Sequence, residues 1–81
     1  MNNLIDIRSH YQYKLGTIPG AINIDADSLI RYPNKYLNYE DTYYIFCQYG
    51  YSSKKLANIL RNLGYSVISI EGGYLSYKEK R

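Results

Sequence analysis

The sequence predicts an α/β fold, a mostly parallel four-stranded sheet with helices on both faces, and three observations carry that prediction. Short β-prone runs alternate along the chain with segments of helical spacing. The alternation is clearest where Tyr43-Tyr44-Ile45-Phe46 is followed by Leu56, Ile59, Leu60 and Leu63, spaced i, i+3, i+4 and i+7. Glycines stand at the joints, and strands that alternate with helices pair in parallel through right-handed crossovers. The length of 81 residues suits one small domain.

In chain order, residues 4–7 form a first strand, and the polar residues 9–15 form a helical turn or loop that ends at Gly16. Ile18-Pro19-Gly20 punctuates a turn, residues 21–24 form a second strand, and Asp25 or Asp27 caps a short helix limited by Pro33. Tyr36 and Leu37 add a further turn before the polar connector Glu40-Asp41. Residues 43–46 form the third strand, and a helix starting near Ser53, with Ser52 or Ser53 as N-cap, stops at Gly64. Residues 66–70, with Val67 and Ile68, form the fourth strand, and Gly72-Gly73 turns the chain into a last helix over 74–80.

The net charge of +3 comes from 10 basic and 7 acidic residues that are scattered except in the tail Lys78-Glu79-Lys80-Arg81, which is expected to be solvated. No clustered basic face points to nucleic acid, and the 12 tyrosines are spread through every segment. No apolar run approaches the ~20 residues of a bilayer span. His10 has no second ligand type at metal spacing, so no metal is expected. A single cysteine cannot form an internal disulfide, and the chain opens without a basic and apolar leader, so a reducing cytoplasm is expected.

That cysteine, Cys47, ends the third strand just before a helix. Gly50 lets the intervening loop curl so that successive N–H groups face inward, and the helix dipole adds positive potential, which together favour a thiolate. Asp6 and Arg8 follow the first strand toward the same C-terminal edge, where open α/β sheets place their sites, and an ion pair that anchors the loop is the expected role. Lys54 and Lys55 are expected in the first helical turn, where a cation opposes the dipole; one of them near the rim would draw an anionic substrate.

The loop Cys47-Gln48-Tyr49-Gly50-Tyr51-Ser52-Ser53 resembles the active-site loop of the single-domain rhodaneses, a sulfurtransferase family. Leu4-Ile5-Asp6-Ile7-Arg8 resembles that family's strand ending in Asp-x-Arg, residues 16–24 resemble its Gly-His-Ile-Pro-Gly-Ala segment, and Gly72-Gly73 with Tyr77 resembles its closing motif. The resemblance implies one rhodanese-like domain over residues 1–81, with Cys47 as nucleophile and the backbone of Gln48, Tyr49, Gly50, Tyr51, Ser52 and Ser53 as persulfide cradle. It also implies a small donor such as thiosulfate, an acceptor such as cyanide or a protein thiol, and no cofactor. The departures are Thr17 for histidine, Gln12 for glutamate and Tyr77 for tryptophan; without the carboxylate at position 12, Glu71 is the expected partner of Arg8.

Such domains usually carry an additional N-terminal strand beside the last one, and this chain begins too late to supply it. Residues 66–70 are therefore expected to form an apolar edge open to a second copy of the chain. Two other function classes stay open: a non-catalytic binding module of the same fold, and a phosphatase or arsenate reductase. The latter closes its loop with an arginine after five intervening residues, where this chain has Ser53.

Overall fold

The alternation of strand and helix signals becomes four short strands and five helices in a computed structural model that describes residues 3–80. Met1, Asn2 and Arg81, and with them the N-terminal residues read for a leader and the end of the basic tail, lie outside the described residues. The elements are β1 (Leu4–Asp6), α1 (His10–Leu15), β2 (Ile22–Asn23), α2 (Ala26–Arg31), α3 (Pro33–Tyr36), β3 (Thr42–Phe46), α4 (Tyr51–Asn62), β4 (Ser66–Ser69) and α5 (Gly73–Glu79). All pairings are parallel, in the order β2-β1-β3-β4, with Leu4 opposite Tyr44 and Tyr44 opposite Ile68.

The pleat divides each strand between two cores. Ile5, Tyr43, Ile45 and Val67 face Leu29 of α2 and Leu56, Ala57 and Leu60 of α4 in the larger cluster. Phe46 packs with Ala21 and Tyr74 in the smaller one, on the α5 side. Each fully buried aliphatic chain here contributes roughly 1.5 to 3 kcal/mol relative to exposure.

Tertiary contacts moved several predicted boundaries. The second strand shrinks from four residues to Ile22–Asn23, because Ala21 turns into the Phe46–Tyr74 cluster instead of the ladder. The stretch after Ser9 is a true helix: the Ser9 side chain accepts from the Gln12 amide at 3.2 Å while Gln12 Oε1 accepts from the Ser9 amide at 3.3 Å. Asp25, not Asp27, caps α2, and Pro33 opens α3 at its first position.

The buried stripe of α4 is rotated from the predicted one. Ser53, Leu56, Ala57 and Leu60 are buried, while Ile59 and Leu63 are 42% and 51% exposed. Ser53 is tied to the end of β3, and once it faces the sheet the residues at i+3, i+4 and i+7 must follow it.

The strand β4 is an edge of the sheet, as expected, and Ile68 on it and Tyr44 beside it are 44% and 46% exposed. That edge is partly guarded, since Arg61 of α4 donates from its guanidinium to the Val67 carbonyl at 2.6 Å. No helix among the described residues is long and apolar enough to cross a membrane.

Candidate active site

Ile45 and Phe46 are fully buried, so the end of β3 is rigid and the next residue, Cys47, is delivered to a fixed place at the C-terminal edge of the sheet. The chain then turns through Gln48 and Tyr49 to Gly50, whose φ of 100° makes it the left-handed N-cap of α4. Neither Ser52 nor Ser53 is the cap. With the helix starting at Tyr51, Ser53 is its third residue, and its amide is among those with no carbonyl partner inside the helix. It points at the sulfur instead: Gly50 N–H and Ser53 N–H donate to Cys47 Sγ at 3.1 and 3.2 Å.

The thiol itself donates to Ser53 Oγ at 3.3 Å, a hydroxyl that can turn to donate once the sulfur is charged. Burial pushes the Cys47 thiol up, but the Ser53 hydroxyl together with the amides of Ser53, Gly50 and Tyr49 outweighs it and holds the thiol below its usual 9.0.

The loop is gripped from behind by the start of α5. Tyr74 N–H donates to the Cys47 carbonyl at 2.9 Å and Leu75 N–H to the Gln48 carbonyl at 3.0 Å, so the free amides of one helix hold the backbone that presents the sulfur to the amides of another. The approach is close enough that a Cβ on Gly50 would lie 2.9 Å from the Gly72 nitrogen. Gly50→Ala is therefore expected to cost about 1 to 3 kcal/mol of stability and to lower activity by more than the unfolded fraction explains, because relief of the clash moves the Gly50 amide off the sulfur. Unchanged kinetics at a temperature where the variant is folded would show that the site does not depend on this backbone angle.

On the other flank, Asp6 is fully buried and accepts from Arg8 Nε at 3.0 Å and Arg8 Nη2 at 2.8 Å. Thr17, standing at the family's histidine position, donates to the same carboxylate at 2.8 Å. Arg8 also donates to Gln48 Oε1 at 3.0 Å and the Gly16 carbonyl at 2.6 Å, and its guanidinium lies 4.1 Å from the centre of the Tyr74 ring. The expected pairing of Arg8 with Glu71 does not form. Each nitrogen of the guanidinium donates to Asp6, Gln48 or Gly16, and Glu71 lies beyond the loop in a different cleft, so Arg8 anchors the loop through Gln48.

That cleft, of about 470 Å³, is lined by Tyr49, Gly50, Tyr51, Lys54, Ser69 and Glu71 among others. A smaller one of about 220 Å³ adjoins Arg8, Gln12, Gln48 and Lys78, and neither has Cys47 among its lining residues. Lys54 and Lys55 are the fourth and fifth residues of α4, just past the turn in which the dipole would oppose them. Lys54 reaches the larger cleft and Lys55 is exposed without lining either. Tyr49, Tyr51 and Ser52 are also exposed. Among the described residues no group of three or more His, Cys, Asp or Glu could hold a metal.

Sequence reasoning passed over Ser69. Its hydroxyl lies 2.7 Å from that of the fully buried Ser53. A signal was present: Ser53 and Ser69 are polar residues on the otherwise apolar faces that carry Leu56 and Val67.

The rhodanese-like domain model matches residues 1–80. The human single-domain sulfurtransferase is 30% identical and superposes with a TM-score of 0.84, covering 98% of this chain and 82% of its own. A rhodanese-related protein from Thermoplasma volcanium is 29% identical with a TM-score of 0.85, covering 96% and 77%. The tRNA uridine(34) hydroxylases of Acaryochloris marina and Bartonella bacilliformis are 34% and 30% identical over 95% and 94% of this chain, which spans 27% of each. Because the match runs across the cysteine loop, the Asp-x-Arg strand end and the double glycine alike, the chain belongs to the rhodanese-like domain family.

Proposed function

We propose that the chain is a sulfurtransferase in which the Cys47 thiolate attacks the sulfane sulfur of a small donor such as thiosulfate. The attack forms an S–S bond on Cys47 and breaks the donor's own, so sulfite leaves with the electron pair and a persulfide remains. A thiophile such as cyanide or a protein thiol then takes the outer sulfur and returns the thiolate. One observation carries this: Cys47 Sγ receives two backbone amides and lies within reach of a buried hydroxyl, a set of donors that suits a sulfur anion. Ser53 at the position of a closing arginine speaks against phosphoryl chemistry, and a polarised thiol speaks against a purely non-catalytic module. Lys54, which lines the larger cleft beside the loop, supports the attraction of an anionic donor to this end of the sheet. The free thiol fits a reducing, cytoplasmic setting.

Incubation with thiosulfate should add one sulfur to the intact mass, and cyanide should remove it; a protein whose mass never changes would refute the proposal. The sulfur-loading rate should rise with pH and level off at a midpoint below the ordinary thiol value of 9.0. The same lowered value implies a stability contribution that is complete above the unfolded thiol's pKa and is lost as pH falls through the folded one. A loading profile with its midpoint at or above that of a free thiol would remove the role given to the amides.

A further inference from the structure

Ser53 Oγ is fully buried, has one proton to give and has three neighbours: Cys47 Sγ at 3.3 Å, the Gly50 carbonyl at 3.3 Å and Ser69 Oγ at 2.7 Å. While the sulfur is a thiol it donates to Ser53, and the Ser53 proton is directed at Gly50 or Ser69. When the sulfur is an anion the Ser53 proton must face it, and the hydroxyl oxygen then has room to accept. Only Ser69 can fill that need, because the Gly50 carbonyl has no proton to offer. That carbonyl is not left bare, since it also accepts from the Lys54 amide at 3.2 Å. Ser69 is half-buried on β4 and lines the larger cleft.

We propose that Ser69 is a positioning residue of this site, orienting the Ser53 hydroxyl onto the Cys47 sulfur and completing a two-hydroxyl path from that sulfur to the cleft. In the forward direction the thiol proton passes to Ser53 Oγ, the Ser53 proton to Ser69 Oγ, and the Ser69 proton to water in the cleft. One proton leaves, one thiolate remains, and both hydroxyls end neutral with their polarity reversed. A chain of hydroxyls that polarise one another is stronger than either bond alone. The proposal rests on Cys47 acting as a thiolate, but its test needs no sulfur transfer.

The test compares Ser69→Ala and Ser69→Thr with the parent, following thiolate absorbance in the ultraviolet and the rate of alkylation by iodoacetamide against pH. With Ser69→Ala the midpoint should rise by about half to one pH unit, which is roughly three- to tenfold less thiolate well below the midpoint. With Ser69→Thr, which keeps the hydroxyl on a β-compatible residue, it should return to the parent value. If the alanine variant folds poorly, Ser69→Val against Ser69→Thr gives the same contrast at nearly equal shape. A midpoint unmoved by loss of the hydroxyl, or moved equally by threonine, would overturn the proposal. A parent protein with a lowered midpoint that takes no sulfur from thiosulfate would instead sink the sulfurtransferase assignment and leave Ser69 its role.

Discussion

Cys47→Ser is expected to bring sulfur transfer below detection, a fall of at least about a thousandfold, while leaving the thermal transition close to that of the parent. The alcohol cannot be ionised at any pH the fold tolerates, and no other thiol exists in the chain to take its place. The packing consequence is small, since the oxygen sits under the same amides of Gly50 and Ser53 and beside the same Ser53 hydroxyl, all of which an alcohol can use. Intact mass after thiosulfate treatment, thiocyanate formation and a melting curve check it together. Retained thiocyanate formation in the variant would dispose of the covalent mechanism.

Gly73→Ala should act in the opposite sense, removing stability and activity together. Gly73 has φ of 64°, and a Cβ placed there would run into the Cys47 carbonyl oxygen and come within 2.8 Å of the Gln48 carbonyl and the Gly50 nitrogen. All three are backbone atoms of the loop and cannot swing aside as a side-chain tip would. The left-handed backbone costs an alanine about 1 to 2 kcal/mol and the overpacking roughly 1 to 3 kcal/mol more, so a loss of about 2 to 5 kcal/mol is expected. In a domain this small that is a large share of the total. Chemical denaturation measures it directly, and a variant within about 1 kcal/mol of the parent would mean that α5 can shift without disturbing the loop.

What the sequence disclosed and what it concealed divide by distance along the chain. The strand, the glycine and the helix around Cys47 lie within 20 residues, and short-range pattern was enough to place the sulfur at a helix start on a sheet edge. Arg8 reaches Gln48 across 40 positions, and Ser53 meets Ser69 across 16. Only the parallel order of β1, β3 and β4 brings these together, and no local pattern encodes that order. The assignment of Glu71 to Arg8 failed on a different ground: Asp6, two residues away and already expected to pair with Arg8, holds the guanidinium with two oxygens and leaves no need of a second carboxylate. The phase of α4 was misread because apolar count favoured Ile59 and Leu63, whereas the helix is set by where Ser53 must go.

The grip of α5 on the loop also makes the mounting of the sulfur a long-range property of the chain. The groups that fasten the Cys47 and Gln48 carbonyls, the amides of Tyr74 and Leu75, stand 27 positions further along the chain. A chain cut before Gly72 would carry the cysteine but not that mounting. The character of the thiol is thereby tied to the folding of the domain as a whole, and an excursion that frees α5 alone loosens the backbone under the sulfur without touching the sulfur's own helix.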